Sequence, residues 1–350
     1  MMRVFKSSRL RVCAGVLTLA AWLTGCGGAG THTAEAMQQV KELQYKEALA
    51  EFQTASDAGE NERLIRRGQG IAYMGMADYE NAIASFEAAL QESNGFVQSV
   101  DYDLNYYLAA AYAKSGQLAE AEQIYDAILA MKSDEEAYFL RGNIRLERNH
   151  FEGAKEDFDK VISMDGSNYS RLIEIYQALD KCGYKEVGRQ YLHDCLEQNS
   201  SRMSNFDSGR MYYYLGEFSQ ACMILEKAKE KGNADSYLYL GKAYEATGDY
   251  NYASSVYNSW LAKDAGSAEI YNQLGLCEMH KGNYQAALDA FQSGMKIEQN
   301  PVMQALSFNE IVAYEYLGDY AKALALVENY LKNYPDDETA GRERDFLKTR

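Results

Sequence analysis

"YLGKAYEATGDYNYASSVY", residues 239–257, has helical spacing but carries glycine where a helix gains nothing from it. Gly241 sits inside an apolar run, and Gly248 interrupts that run before Tyr250 restarts it. A glycine in a helix interior costs about 1 kcal/mol relative to alanine, so each must return something. Leu240, Gly241 and Tyr244 share one stripe of a first helix, and Ala253 and Tyr257 share one stripe of a second. A missing side chain at the crossing lets the two backbones close up, and the ring from the neighbouring turn fills the gap. Gly241 reads as a packing device. Gly248 reads as a helix stop that supplies the positive φ of a tight helix–turn–helix.

The same spacing recurs along the chain. Gly209, Tyr212, Ala221 and Leu225, then Ala228, keep the register upstream. Gly275, Ala287 and Phe291 keep it downstream, with Glu278 in the tyrosine's place. Gly70, Tyr73, Ala82, Phe86 and Ala89 fit the frame, as do Ala109, Tyr112, Ala121 and Tyr125, then Gly142, Ala154 and Phe158. The pattern thins at the ends, to Ala36, Ala48 and Phe52 on one side and Tyr314 and Ala323 on the other. Turns such as "GDY" (248–250 and 318–320), "GNY" (282–284), "ADY" (77–79) and "GEF" (216–218) separate the halves of each unit.

Small residues, aromatics and turns in this order, at periods of about 32–39 residues, resemble the tetratricopeptide repeat. The resemblance implies an all-α fold, a right-handed α-solenoid superhelix of about nine helix–turn–helix units over residues 33–337. In "YSRLIEIYQALDKCGYKEVGRQYLHDCL" (169–196), Ile175 stands where the small residue belongs and Val187 replaces the alanine. An atypical unit is therefore expected near 168–201, with a change of course between the two halves. The junction "QESNGFVQSVDY" (91–102) is longer than its fellows and predicts a loop. The charged segment 338–350 reads as a capping helix, which stacked repeats need for solubility.

The N-terminus reads as an address. Arg3, Lys6, Arg9 and Arg11 precede an apolar stretch from Val12 to Leu23 that is short for a permanent span. Leu23-Thr24-Gly25-Cys26 then resembles a bacterial lipobox. That resemblance implies cleavage of residues 1–25, lipidation of Cys26 and a flexible tether over 26–32. Several acyl chains on one residue hold a protein stably at a bilayer. The implied location is the bacterial cell envelope, on the extracytoplasmic side of the cell membrane. Gly27 after the cysteine implies the outer membrane if the host is Gram-negative.

The chain's formal charge is −16, and residues 1–25 carry four positive charges and no acid, so the rest carries −20. A surface this acidic repels phosphate and excludes nucleic acid as a partner. Twenty-nine tyrosines against 12 phenylalanines suit a thin architecture, because the ring packs while the hydroxyl stays wet. Past Cys26 the cysteines are Cys182, Cys195, Cys222 and Cys277, with no CxxC pair, and buried free thiols are favoured over a Cys182–Cys195 bridge. His32, His150, His193 and His280 belong to no HExxH motif. Sets such as His193 with Cys182 and Cys195, or Cys277 with His280, fall short of four metal ligands. "GQG" (68–70) lacks the third glycine of a dinucleotide fingerprint. The sequence therefore predicts no enzyme, no cofactor and no metal.

In repeats of this kind the first helices line the inside of the curve. The residues expected there are Tyr106, Tyr107, Asn143, Phe206, Arg210, Tyr213, Tyr239, Lys242, Asn272 and Asn309. Rings supply desolvated area, amides hold an extended backbone, and cations take acidic side chains or a terminus. Some relatives carry a carboxylate clamp; Asn143 matches one of its places, but Phe139 stands where its lysine belongs, so that ligand is not carried over. The expected function is a membrane-anchored scaffold or adaptor that binds a protein or peptide through this concave face. The alternatives are an envelope assembly or secretion factor and a glycan-binding surface protein.

Overall fold

The computed structural model describes residues 30–92, 98–199, 201–230, 232–298 and 300–350. The leader, the lipobox with Cys26, and residues 93–97 of the long junction lie outside the described residues.

Among the described residues the chain is all helical, with nineteen α-helices and no strand. They pair as antiparallel hairpins: α1 (Thr31–Lys41) with α2 (Tyr45–Asp57), α3 (Glu62–Gly75) with α4 (Tyr79–Gln91), and α5 (Ser99–Lys114) with α6 (Leu118–Met131). Next come α7 (Glu135–Glu147) with α8 (Phe151–Met164), and α9 (Tyr169–Lys181) with α10 (Lys185–Asn199). Then follow α11 (Asn205–Leu215) with α12 (Phe218–Lys229), and α13 (Ala234–Thr247) with α14 (Tyr250–Leu261). The last pairs are α15 (Ala268–His280) with α16 (Tyr284–Met295), and α17 (Met303–Leu317) with α18 (Tyr320–Asn333). A single helix, α19 (Glu338–Leu347), ends the chain. The contacts divide the described chain inside α10, into one compact unit up to Leu192 and another from His193 onward.

The glycine rule holds in three dimensions. A Cβ added to Gly241 would lie 2.2 Å from Cε1 of Tyr257, sixteen residues on and fully buried. The same sixteen-residue step puts Gly70 against Phe86 at 2.4 Å, Gly142 against Phe158 at 2.7 Å, Gly209 against Leu225 at 2.5 Å and Gly275 against Phe291 at 2.2 Å. In these five hairpins the first helix receives the large side chain of the second where it has none of its own. Real Cβ atoms do not approach this closely, so the hairpin spacing depends on the glycine.

The atypical unit inverts the arrangement. Ile175 is fully buried on α9, and the small residue has moved to the second helix. A Cβ on Gly188 of α10 would meet Tyr176 side chain at 3.0 Å and its backbone Cα at 3.2 Å.

The turns follow one recipe. Gly248 has φ 86°, and the Asp249 amide reaches back to the Tyr244 carbonyl at 3.0 Å. Asp249 then caps the next helix, accepting from the Tyr252 amide at 3.0 Å. The "ADY" turn keeps the geometry without glycine: Ala77 has φ 58°, and the Asp78 amide bonds the Tyr73 carbonyl at 2.9 Å.

Within each unit, successive first helices touch directly: α1 with α3, α3 with α5 and α7 with α9 in one, α11 with α13, α13 with α15 and α15 with α17 in the other. This close layer of first helices is the inside of the local curve. Cys182, Cys195, Cys222 and Cys277 are free thiols. No helix among the described residues is long and apolar enough to cross a membrane.

Candidate functional site

The two units present first-helix faces of different chemistry. In the unit up to Leu192, arginines of the first helices pair with carboxylates, of which Asp157 and Glu122 stand on the second helices α8 and α6. Asp157, 2% exposed, accepts from Arg141 Nη2 at 2.6 Å and from Arg145 Nη1 at 3.0 Å. Arg145 also donates to Glu122 at 2.8 Å, and Arg148 bonds the same carboxylate. Arg171 lies over the Phe139 ring at 4.0 Å and pairs with Glu135, Glu136 and Glu174. These pairs are half-buried and bidentate in part; those to Asp157 close the α7–α8 hairpin, and those to Glu122, Glu135 and Glu136 join neighbouring repeats.

Of the residues expected on this wall, Tyr106 donates its hydroxyl to Asp134 at 2.6 Å. Tyr107 is 7% exposed, its ring stacked on Phe86 at 5.5 Å with the Arg67 guanidinium 5.4 Å from its centroid. That position belongs to repeat packing, which corrects the expectation that Tyr107 faces a partner. Asn143 is half-buried, and its Oδ1 has no hydrogen-bond partner among the described residues.

In the unit from His193 onward the face is aromatic and cationic. Tyr239 of α13 is its buried centre. Phe206 and Tyr213 of α11 pack their edges against it, with centroids 6.0 and 5.7 Å away, and Tyr214 shares a 2.9 Å hydroxyl–hydroxyl bond with it. The Arg210 guanidinium lies 5.0 Å from the Phe206 centroid and 5.6 Å from that of Tyr239. Lys242, one turn beyond Tyr239, places its Nζ 5.5 Å from the same ring. Five of the residues expected on the wall, Phe206, Arg210, Tyr213, Tyr239 and Lys242, are therefore one cluster. Helical spacing explains it: 206, 210 and 213–214 follow one stripe of α11, and 239 and 242 one stripe of α13. The Phe206 and Tyr239 rings hold the two half-buried cations at cation–π range.

Asn272 and Asn309 do not join this cluster. Asn309 donates Nδ2 to Asn272 Oδ1 at 3.0 Å, and both are buried, so the pair ties α15 to α17 instead of presenting open amides. Sequence reasoning missed Tyr214, whose neighbour Tyr213 carries the stripe; its signal is a spacing of four from Arg210.

Ser254 on α14 bonds Glu278 at 2.7 Å, and Lys281 reaches both, Ser254 at 3.2 Å and Glu278 at 2.8 Å. Ser254 is 5% and Glu278 7% exposed, and Asn283 completes the carboxylate's shell at 2.7 Å. This closed network pins α14 to the α15–α16 turn and offers no surface to a substrate.

Models of the tetratricopeptide repeat match residues 73–144, 135–168, 238–295 and 305–337. The chain carries tetratricopeptide repeats. Yeast Tom70 is similar in structure, with a TM-score of 0.51 at 14% identity over 91% of this chain and 87% of that one; the likeness is one of fold. By sequence the chain is 23% identical over 237 residues to human protein O-mannosyl-transferase TMTC3. It is 21% identical over 289 residues to DnaJ homolog subfamily C member 3 of Gallus gallus. The matches take in 67% and 73% of this chain but only 23% and 55% of those relatives.

Proposed function

We propose that this repeat protein is a scaffold or adaptor, held by a lipid on Cys26 at the outer side of a bacterial membrane, that captures a protein or peptide on its first-helix face. The observation that carries the reading is the cluster of Arg210 and Lys242 over Phe206, Tyr213 and Tyr239. Two cations raised on aromatic supports suit an extended segment with acidic side chains or a free carboxylate. Tyrosine and arginine side by side are also the usual composition of an interface hot spot. The lipobox resemblance supplies the anchor.

Capture of envelope cargo for assembly or secretion is the narrower form of this reading. Glycan binding is disfavoured by the hydroxyls: those of Tyr106, Tyr214, Tyr239 and Tyr257 already bond to Asp134, to each other or to Glu245.

The test has two parts. Metabolic labelling with a palmitate analogue should mark the wild-type chain and not Cys26→Ala. The partner recovered with wild-type protein should bind Arg210→Ala/Tyr213→Ala at least about tenfold more weakly, the loss of one hot spot. Unchanged binding by that double variant removes the face assignment.

A further inference from the structure

The first hairpin of the chain gathers acidic groups around an imidazole. Glu51 Oε1 of α2 lies 2.6 Å from His32 Nδ1 of α1. Glu35 stands one turn beyond His32 on the same helix, and the three side chains offer ligand atoms all within 4.8 Å of one another. Behind them Glu60 accepts from the His32 and Thr33 amides at 3.0 and 2.8 Å and from the Thr33 hydroxyl at 2.6 Å, capping α1. Elsewhere in this unit acidic clusters are answered by arginine: Asp157 by Arg141 and Arg145, Glu122 by Arg145 and Arg148. Here, among the described residues, no lysine or arginine pairs with Glu35, Glu51 or Glu60. One imidazole faces three carboxylates.

We propose that His32, Glu35 and Glu51 form a surface site for a divalent transition-metal ion, zinc by preference. His and Glu three apart on one helix present their ligand atoms on a single face, and the antiparallel neighbour contributes the third. Ligand atoms about 2.1 Å from zinc sit roughly 3.0–3.4 Å apart for angles between right and tetrahedral. Glu51 therefore moves back by under about 1 Å, and the ligand atoms, all within 4.8 Å of one another, close by less than about 2 Å. The ion replaces the proton that now joins Nδ1 to Oε1, so binding releases that proton whenever the imidazole is charged. One nitrogen and two carboxylates suit zinc and its neighbours in the first transition row. Calcium asks for six or more oxygens, which three side chains do not provide. The coordination positions left over face solvent, since His32 is 40% exposed.

The experiment titrates the full chain with zinc chloride by calorimetry and follows the visible spectrum with cobalt as a substitute. One zinc per chain is expected, with proton release that scales with buffer ionisation heat, and no heat with calcium. His32→Ala and Glu51→Gln should each weaken binding at least tenfold, and Glu35→Gln, an exposed position outside the hydrogen bonds of the hairpin, at least threefold. Glu186→Gln, 87% exposed and remote, is the unaffected control. Absence of one-to-one zinc binding, equal affinity for calcium, or wild-type affinity in Glu35→Gln would each overturn the assignment. Glu35→Gln keeps the test decisive even where His32→Ala loosens α1.

Discussion

Replacing Gly241 by alanine sets two physical effects against each other. By helix propensity alone the change is favourable, because alanine gains about 1 kcal/mol over glycine in a helix interior. The new methyl, however, lands 2.2 and 2.3 Å from Cε1 and Cζ of Tyr257 and 2.8 Å from its hydroxyl. That ring is fully buried, and its hydroxyl is tied to Glu245, so it has no free rotamer to yield into. Overpacking of this kind costs about 1–3 kcal/mol, and the net expectation is a loss of roughly 1 kcal/mol. Gly341 supplies the control. It lies in α19 with nothing within 4 Å of an added Cβ, so Gly341→Ala should gain about the full propensity difference, near 1 kcal/mol. Urea unfolding followed by Trp260, three residues from Tyr257 and 5.2 Å from the Tyr237 ring, reads the unit concerned. In a Tyr257→Ala background, Gly241→Ala should change sign and become stabilising, since the ring it strikes is gone. If Gly241→Ala stabilises the wild type as much as Gly341→Ala does, the packing argument fails.

Three further outcomes follow from the same structure. Ala77 holds φ 58° at a turn position that most of the hairpins fill with glycine, so Ala77→Gly should stabilise by about 0.5–1 kcal/mol, after the backbone entropy is subtracted; thermal or urea denaturation checks it. Asp157→Asn leaves Arg141 and Arg145 without their shared counter-charge and should destabilise by near the low end of about 3–5 kcal/mol, since both arginines keep other acids. Burial pushes the Cys222 and Cys277 thiols up to about 11, so at pH 8 their labelling should be slower in the native protein than in urea by about two orders of magnitude. Native labelling at the unfolded rate would show that these helices open freely.

The repeat was legible because its packing rule is local. A glycine and an aromatic sixteen residues apart belong to one hairpin, and Gly241 with Tyr257 or Gly275 with Phe291 reads the same in sequence and in space. The inverted unit was half legible: Ile175 signalled a departure, but Gly188 looks like any other helix residue until Tyr176 is seen against it. On the first-helix face, the stripe of α11 and α13 was readable through its spacing. Tyr107, Asn272 and Asn309 were not, because a step of one residue turns a helical side chain by about 100° and carries it from the wall into the stack. The hairpin that brings Glu51 to His32 joins residues nineteen apart, and neither belongs to a motif that periodicity marks. Sequence reading expected no metal; the His32 cluster became visible only when the two helices were side by side.

The most direct test of the binding face is site-specific photocrosslinking in the native cell. A photoreactive residue at Tyr213, on the first-helix face, is compared with one at Ser255, exposed on the second helix α14. Trapping of a discrete protein from position 213 and not from 255 is the expected result. The same adduct from 255, with none from 213, would place the partner on the other side of the repeats and contradict the account.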